Sequence, residues 1–235
     1  MRILALDTAT EACSVALLLQ EVGETPQLLV RELPPGPASH SAHILSLVQA
    51  VLSEAALTLR QLDCIAFGRG PGGFTGVRLA ASVTQGLAYG ADLPVVPVSD
   101  LLAVAQQALD LAATAASVLV CNDARMQEVY WTCATRGPTG LAQAAGPEQV
   151  GRPDTVQLPV KLPAPVHAAG RGFAVWPQLQ QRLGVLLAPG HAALLPRAGE
   201  IVRLAAPQWL AGQGVGPECA QPVYLRNDVA KPSRK

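Results

Sequence analysis

The chain has no surplus of either charge. Its 17 lysines and arginines balance 17 aspartates and glutamates over 235 residues, and charged residues make up only 14% of the total. General nucleic-acid binders draw affinity from a cationic footprint that releases counterions, so this composition argues against one. Any work on RNA would leave most phosphate contacts to a partner. The basic ending Lys231-Pro232-Ser233-Arg234-Lys235 is short and reads as a frayed terminus. Long apolar runs are also missing: none approaches the ~18 residues that cross a bilayer. The start Met1-Arg2-Ile3-Leu4-Ala5-Leu6-Asp7 meets an acid too early for a secretory signal, so the expected location is the cytoplasm, with no membrane contact. No Cys-x-x-Cys pair occurs among the five scattered cysteines, which argues against structural zinc and for buried free thiols. Also absent are a Walker loop, the three-glycine dinucleotide fingerprint and a Gly-x-Ser-x-Gly nucleophile elbow.

Half of the residues are hydrophobic, enough for one large core or two modest ones. The most informative stretch is Gly68-Arg69-Gly70-Pro71-Gly72-Gly73-Phe74-Thr75-Gly76-Val77-Arg78, set between the apolar run Cys64 to Phe67 and a helix-like segment to Tyr89. Glycines admit close backbone approach, and a helix start offers free N–H groups, so a strand-to-helix turn of this kind can hold a ligand. A tight turn that packs a helix on a sheet would use the same residues, and both readings stand. A second signal is a repeat. Ile3 to Thr10 leading into Cys13 to Leu19, and Val118 to Arg125 leading into Glu128 to Cys133, each spell strand, acidic turn, strand. Two such hairpins predict a duplicated domain. Asp7 and Asp123 sit at their turns, as magnesium or phosphate ligands or as side-chain-to-backbone turn formers.

Between the hairpins the pattern predicts a proline-rich connector at 33–37 and a helix from Ser39 to Ala56 with Ser39 as N-cap. It continues with a strand from Asp63 to Phe67, a helix ending at Tyr89-Gly90, a strand from Pro94 to Val98, and a helix capped by Ser99-Asp100 and running to Ala115. Beyond Ala134 only short strands are legible, followed by a strand and glycine turn at Val166 to Gly172, a helix from Phe173 to Leu183, another from Ala192 to Ala206, and an extended ending at Pro222 to Arg226. The order is that of a mixed α/β layer architecture, divided here at 1–105 and 106–235.

These residues resemble a known family. The strand with Asp7-Thr8, the run Gly70-Pro71-Gly72-Gly73-Phe74-Thr75-Gly76-Val77-Arg78, Pro97-Val98-Ser99, Asp123-Ala124-Arg125 with Glu128-Val129-Tyr130, and the ending Tyr224-Leu225-Arg226 are similar to the bacterial TsaB family, also called YeaZ, closely to about Tyr130 and loosely beyond. The resemblance implies an α/β fold of two duplicated actin/hexokinase/heat-shock-ATPase-like lobes, each a mixed sheet with helices, around a cleft. It implies a non-catalytic subunit of the system that threonylcarbamoylates the adenosine beside the anticodon of tRNAs reading codons that begin with A. The partners implied are a TsaD-like catalytic subunit and a TsaE-like P-loop ATPase, with tRNA met only through the complex. The chain is expected to need no cofactor of its own, ATP or ADP and magnesium being used by partner subunits. Homodimerisation in the absence of the partner is a further expectation.

The residues can be asked whether this chain is the catalyst instead. The catalytic relatives are expected to hold a metal through a His-x-x-x-His pair and a later carboxylate. Here His40 and His43 are three apart, and His167 and His191 are isolated, so no metal site is expected. The expected catalytic set is therefore empty. A weak nucleotide site at Asp7, Thr8, Gly72, Gly73 and Asp123 stays open, and with it the alternative of a stand-alone nucleotide-dependent ATPase or phosphotransferase. In the first helix the apolar positions exceed one stripe, and the second is rich in small residues, which suits a subunit interface or internal packing alike. The resemblance favours an interface, drawn at Ile44, Leu45, Val48, Leu52, Phe74, Arg78, Leu79 and Val83.

Overall fold

The computed structural model describes residues 1–21, 23–33 and 39–226; most of the connector at 33–37 and all of the basic ending lie outside them. Five strands form the first sheet: β1 (Arg2–Asp7), β2 (Cys13–Leu19), β3 (Gln27–Leu33), β4 (Cys64–Gly68) and β5 (Val95–Val98), in the order β3-β2-β1-β4-β5. β1 pairs antiparallel with β2 (Leu4 opposite Leu17) and parallel with β4 (Leu4 opposite Ile65), which makes it the central strand. That is why its sequence is apolar without alternation: both of its faces are covered. Leu4, Leu6, Val15, Leu17, Ile65 and Phe67 face α1 (His40–Glu54) and α2 (Phe74–Ala91). Ile3, Ala5, Ala16, Cys64 and Ala66 face the opposite way, toward α6 (Ala198–Leu210), and their small side chains admit that helix closely.

Strand β3 was not anticipated. It is an exposed edge whose outward residues include Arg31 and Glu32, charges that mask the strand in sequence and protect the edge from pairing. Helix α2 also runs past the expected stop: Gly90 stays helical, and Asp92 closes the helix in the left-handed region at φ 57°. Ser99 does cap α3 (Asp100–Leu111), its Oγ accepting from the Leu102 N–H at 3.2 Å. α3 ends before Ala115 because the Arg136 guanidinium takes up the Leu109, Ala112 and Ala115 carbonyls.

The second sheet repeats the first. β6 (Ser117–Asp123) and β7 (Val129–Arg136) form a hairpin, β10 (Val166–Ala169) lies parallel to β6, and β8 (Ala142–Ala144) and β9 (Gln149–Gly151) both pair with β7. Asp123 opposite Val129 closes this hairpin as Asp7 opposite Ser14 closes the first. The outer face, with Leu119, Cys121, Trp131 and Cys133, is covered by Phe173 and Leu179 from α4 (Gly172–Val175) and α5 (Gln178–Leu183). The single helix expected there is two, because Trp176-Pro177 interrupts it and Pro177 starts the second. α3 packs on the second sheet and against α6, while α6 packs on the first. The expected helix from Ala192 likewise begins later, at Ala198, after a single 3-10 turn at His191–Ala193. Residue 105 lies within α3.

Candidate functional site

The two hairpin turns face one cleft of about 720 Å³, lined among others by Thr8, Thr10, Gly72, Gly73, Asn122, Asp123 and Arg226. The glycine run reaches it by docking directly on the first turn. Gly73 N–H donates to the Ala9 carbonyl at 2.7 Å, and Thr8 Oγ donates to the Gly76 carbonyl at 2.7 Å. A Cβ on Gly76 would lie 2.0 Å from the Thr8 carbonyl oxygen, and one on Gly72 would lie 2.6 Å from that of Ala9. These glycines therefore serve close packing of α2 on the hairpin, and Gly73 spends its donor on protein rather than ligand.

Asp7 lies beneath this turn rather than in the cleft lining. It is fully buried; Oδ1 accepts from the Ala9 N–H at 3.0 Å, and Oδ2 has no partner. Beside it is a residue the sequence reading used only as a helix cap, Asp100, also fully buried. A Cβ on Gly68 would fall 2.2 Å from Asp100 Oδ1 and 2.5 Å from Asp7 Oδ1, which shows how tightly the two carboxyls meet over that glycine. Burial pushes Asp7 up to about 7, and burial with the neighbouring Asp7 charge holds Asp100 well above the carboxylate range. Both carboxyls are thereby held toward the protonated form, Asp100 more strongly than Asp7.

Asp123 does line the cleft, engaged in its own turn: Oδ1 accepts from the Arg125 N–H at 3.0 Å, and Oδ2 is 3.5 Å from the Arg125 guanidinium. Asn122 beside it is buried with Oδ1 unpartnered. His40 Nε2 is 3.3 Å from the Glu11 carbonyl oxygen at the rim, and His43 is exposed on the next turn of α1. Among the described residues no three His, Cys, Asp or Glu side chains are grouped to hold a metal ion.

The helical face divides sharply. Ile44, Val48 and Leu52 are buried in the core under the first sheet, so their assignment to a contact surface is corrected: they are the inward stripe of α1. Leu45 points out and is 56% exposed; Phe74 is 50% exposed at the start of α2, while Leu79 and Val83 are half-buried. Arg78 is ordered on this surface. Its guanidinium carbon sits 3.6 Å from the centroid of the Phe74 ring, and Nε donates to the Tyr224 hydroxyl at 2.7 Å.

Comparison with known proteins places this geometry. Residues 36–227 match the family model described as TsaD: tRNA N6-adenosine threonylcarbamoyltransferase. The chain is 41% identical over 232 residues, 98% of its own length and 96% of the relative's, to the tRNA threonylcarbamoyladenosine biosynthesis protein TsaB of Escherichia coli. It is 38% identical to the protein of the same name in Haemophilus influenzae, over 97% of this chain and 95% of that one. The chain belongs to the TsaB family. Two solved structures from Pseudomonas aeruginosa agree: one described as an uncharacterized protein with similarity to peptidase YEAZ (TM-score 0.86, 43% identity, 96% of this chain and 99% of that one), and one as YeaZ (TM-score 0.84, 41% identity, 95% and 99%).

For this TsaB-family chain the structure brings Thr8, Gly72, Gly73 and Asp123 to one cleft, leaves Asp7 behind it, and sets Leu45, Phe74, Arg78, Leu79 and Val83 on α1 and α2 outside the sheet, with Phe74 and Leu79 also lining the cleft. Sequence reasoning missed Asp100, Arg125 and Arg226 as parts of the site. The signal for Asp100 was its place just past the carboxyl end of a parallel strand, where β5 ends beside β4. Arg125 and Arg226 stood in the sequence only as parts of the resembling runs; Arg125 is held by Asp123 two residues before it, whereas the partners of Arg226, Ala124 and Glu128, are set by tertiary contacts.

Proposed function

We propose that the chain is the accessory subunit of a tRNA threonylcarbamoylation system and docks through the exposed face of α1 and α2 on a TsaD-like catalytic subunit. What carries this reading is the outward placement of Leu45 on α1 and of Phe74 stacked with Arg78 on α2, in a chain that matches the TsaD family model itself. A fold relative has equivalent helices, so like faces can meet about a pseudo-two-fold axis. Aromatic and arginine side chains ordered at a surface are the composition of binding hot spots. Burial pushes Cys13 and Cys133 up to about 11 and Cys64 to about 12, so these three thiols are held away from nucleophilic thiolate. In this reading the modified tRNAs are those decoding codons that begin with A. A TsaE-like ATPase completes the assembly, ATP and magnesium belong to partners, tRNA is reached only through the complex, and the site of action is the cytoplasm. No helix among the described residues is long and apolar enough to cross a membrane.

One observation favours a second reading. Thr8, Gly72, Gly73 and Asp123 share a cleft large enough for a nucleotide, as a stand-alone ATPase or phosphotransferase would need. Mixing the purified chain with a TsaD-like subunit and following mass by light scattering separates the two. A one-to-one complex, with tRNA modification that requires both proteins, is expected. ATP turnover or tRNA threonylcarbamoylation by the isolated chain at the rate of the mixture would reject the accessory assignment.

A further inference from the structure

Residues 222–226 carry no regular secondary structure, yet their contacts span the mouth of the cleft. Val223 N–H donates to the Arg69 carbonyl at 2.8 Å, which ties the segment to the end of β4. Tyr224 then accepts from Arg78 Nε, and its ring lies 6.0 Å from that of Phe74 and 5.6 Å from the Arg78 guanidinium. Two residues later Arg226 is on the other lobe. It donates to the Ala124 carbonyl at 3.2 Å, pairs with Glu128, and lies 3.4 Å from Met126 Sδ.

The lobe-two end of this segment is strained. Arg125, Met126 and Gln127 take φ values of 60°, 52° and 64°, three consecutive non-glycine residues in the left-handed region. Each is unfavourable for an L residue, and such a run persists only where surrounding contacts over-determine it. Asp123 holds the turn from inside, through the Arg125 N–H, and Arg226 holds it from outside, through Ala124 and Glu128. One four-residue segment thus fixes the turn of the second hairpin and the guanidinium on α2.

We propose that Val223–Arg226 is an interlobe strap and that Tyr224 and Arg226 are positioning residues for the partner face. Tyr224 holds Arg78 stacked on Phe74 before any partner arrives, and Arg226 anchors the strap to the left-handed turn. Pre-ordering a guanidinium and an aromatic ring removes part of the entropy cost of docking, so the strap raises affinity without itself lying at the centre of the interface. This inference rests on the docking assignment above, and its test has an arm that does not.

In the isolated full-length protein, the exchange of the Arg78 Nε–H with water is measured by NMR for wild type, Tyr224→Phe and Arg226→Ala. Tyr224→Phe keeps the ring and deletes only the acceptor. Both variants are expected to speed exchange about fivefold to tenfold, the second because the strap loses its far anchor. Wild-type exchange in Arg226→Ala would overturn the strap, whatever the partner does. In the second arm, affinity for the TsaD-like subunit is measured with the melting temperature as control. Each variant is expected to weaken binding about fivefold to tenfold, measured well below both midpoints; the melting temperature is expected to hold in Tyr224→Phe and to fall in Arg226→Ala, which loses the Ala124 and Glu128 contacts. In an Arg78→Ala background the Tyr224→Phe change is expected to have no further effect; an undiminished effect there would show that Tyr224 does not act through Arg78. Absence of any wild-type complex would reject the docking assignment, while the first arm still decides the strap.

Discussion

At the scale of single residues, the most consequential pair is Asp7 and Asp100. Both are fully buried, and Asp7 Oδ2 and both oxygens of Asp100 lack hydrogen-bond partners. The titratable groups around them are Arg69, whose charge lowers Asp100, and Cys13, a neutral thiol that burial and the Asp7 charge push up to about 11. The start of α3 favours a negative charge at Asp100 by about 0.3–1 kcal/mol, less than the desolvation that opposes it. The folded protein therefore retains a proton that the unfolded chain releases near pH 4. The sign follows: both carboxyls support folding below the ordinary carboxylate pKa, and that support is lost as pH rises, through about 7 for Asp7 and through the raised pKa of Asp100 for the other. Asp100→Asn cannot ionise, so it removes the titration of the carboxyl that burial and the Asp7 charge hold well above its ordinary range. Its stability relative to wild type is expected to rise between pH 5 and pH 8, by on the order of 1 kcal/mol or more. Urea titrations at both pH values read this directly. A difference that stays flat or falls would mean that burial does not hold Asp100 toward its protonated form.

At the scale of elements, α1 shows how far sequence patterning reaches. The stripe Ile44, Val48, Val51 and Leu52 is legible as apolar, but which apolar residues point inward depends on how the helix sits over β2 and β3. Leu45 and Ile44 are adjacent and chemically alike, and only the structure separates them. Ile44→Glu is expected to destabilise the chain by more than about 4 kcal/mol, because it buries an unpaired charge. Leu45→Glu is expected to stay within about 0.5 kcal/mol of wild type while abolishing capture of the TsaD-like subunit. Paired melting and co-purification measurements check both; retained capture with Leu45→Glu would remove α1 from the interface. Central strands and both hairpins were readable because burial on two faces leaves an unbroken apolar run, as in Leu4 to Leu6. Strand β3 was not, since an edge with Arg31 and Glu32 reads like a loop. In the site, Asp123 and the glycine run were visible as turn chemistry. The meeting of the Asp7 and Asp100 carboxyls, 93 residues apart in sequence, arises only when β1, β4 and α3 converge on Gly68.

At the scale of the whole molecule, the two lobes are duplicated in topology but not independent in packing. The face of the first sheet made by Ile3, Ala5, Ala16, Cys64 and Ala66 is covered by α6, which comes from the far end of the chain. The start of α6 is fixed on that sheet, the Ala198 N–H donating to Ser14 Oγ at 2.8 Å. α3, from the first half, instead covers Val118, Val120 and Ala134 of the second sheet, and Gln106 on α3 accepts from the Ala142 N–H at 2.7 Å. Ion pairs add cross-links between the halves, Arg69 with Glu148 at 3.0 Å and Arg171 with Glu11. A fragment of residues 1–115 keeps β1 to β5 but loses α6, and so leaves one apolar sheet face open to water. It also carries α3 with its sheet-facing residues unpartnered. Two exposed core faces outweigh a net stability of order 10 kcal/mol, so the fragment is expected to show no cooperative thermal transition by circular dichroism. The full chain is expected to unfold in a single step. A fragment that melts cooperatively near the full-length midpoint would mean that the first lobe folds without α6, and that the interleaving of the two halves contributes orientation of the cleft rather than stability.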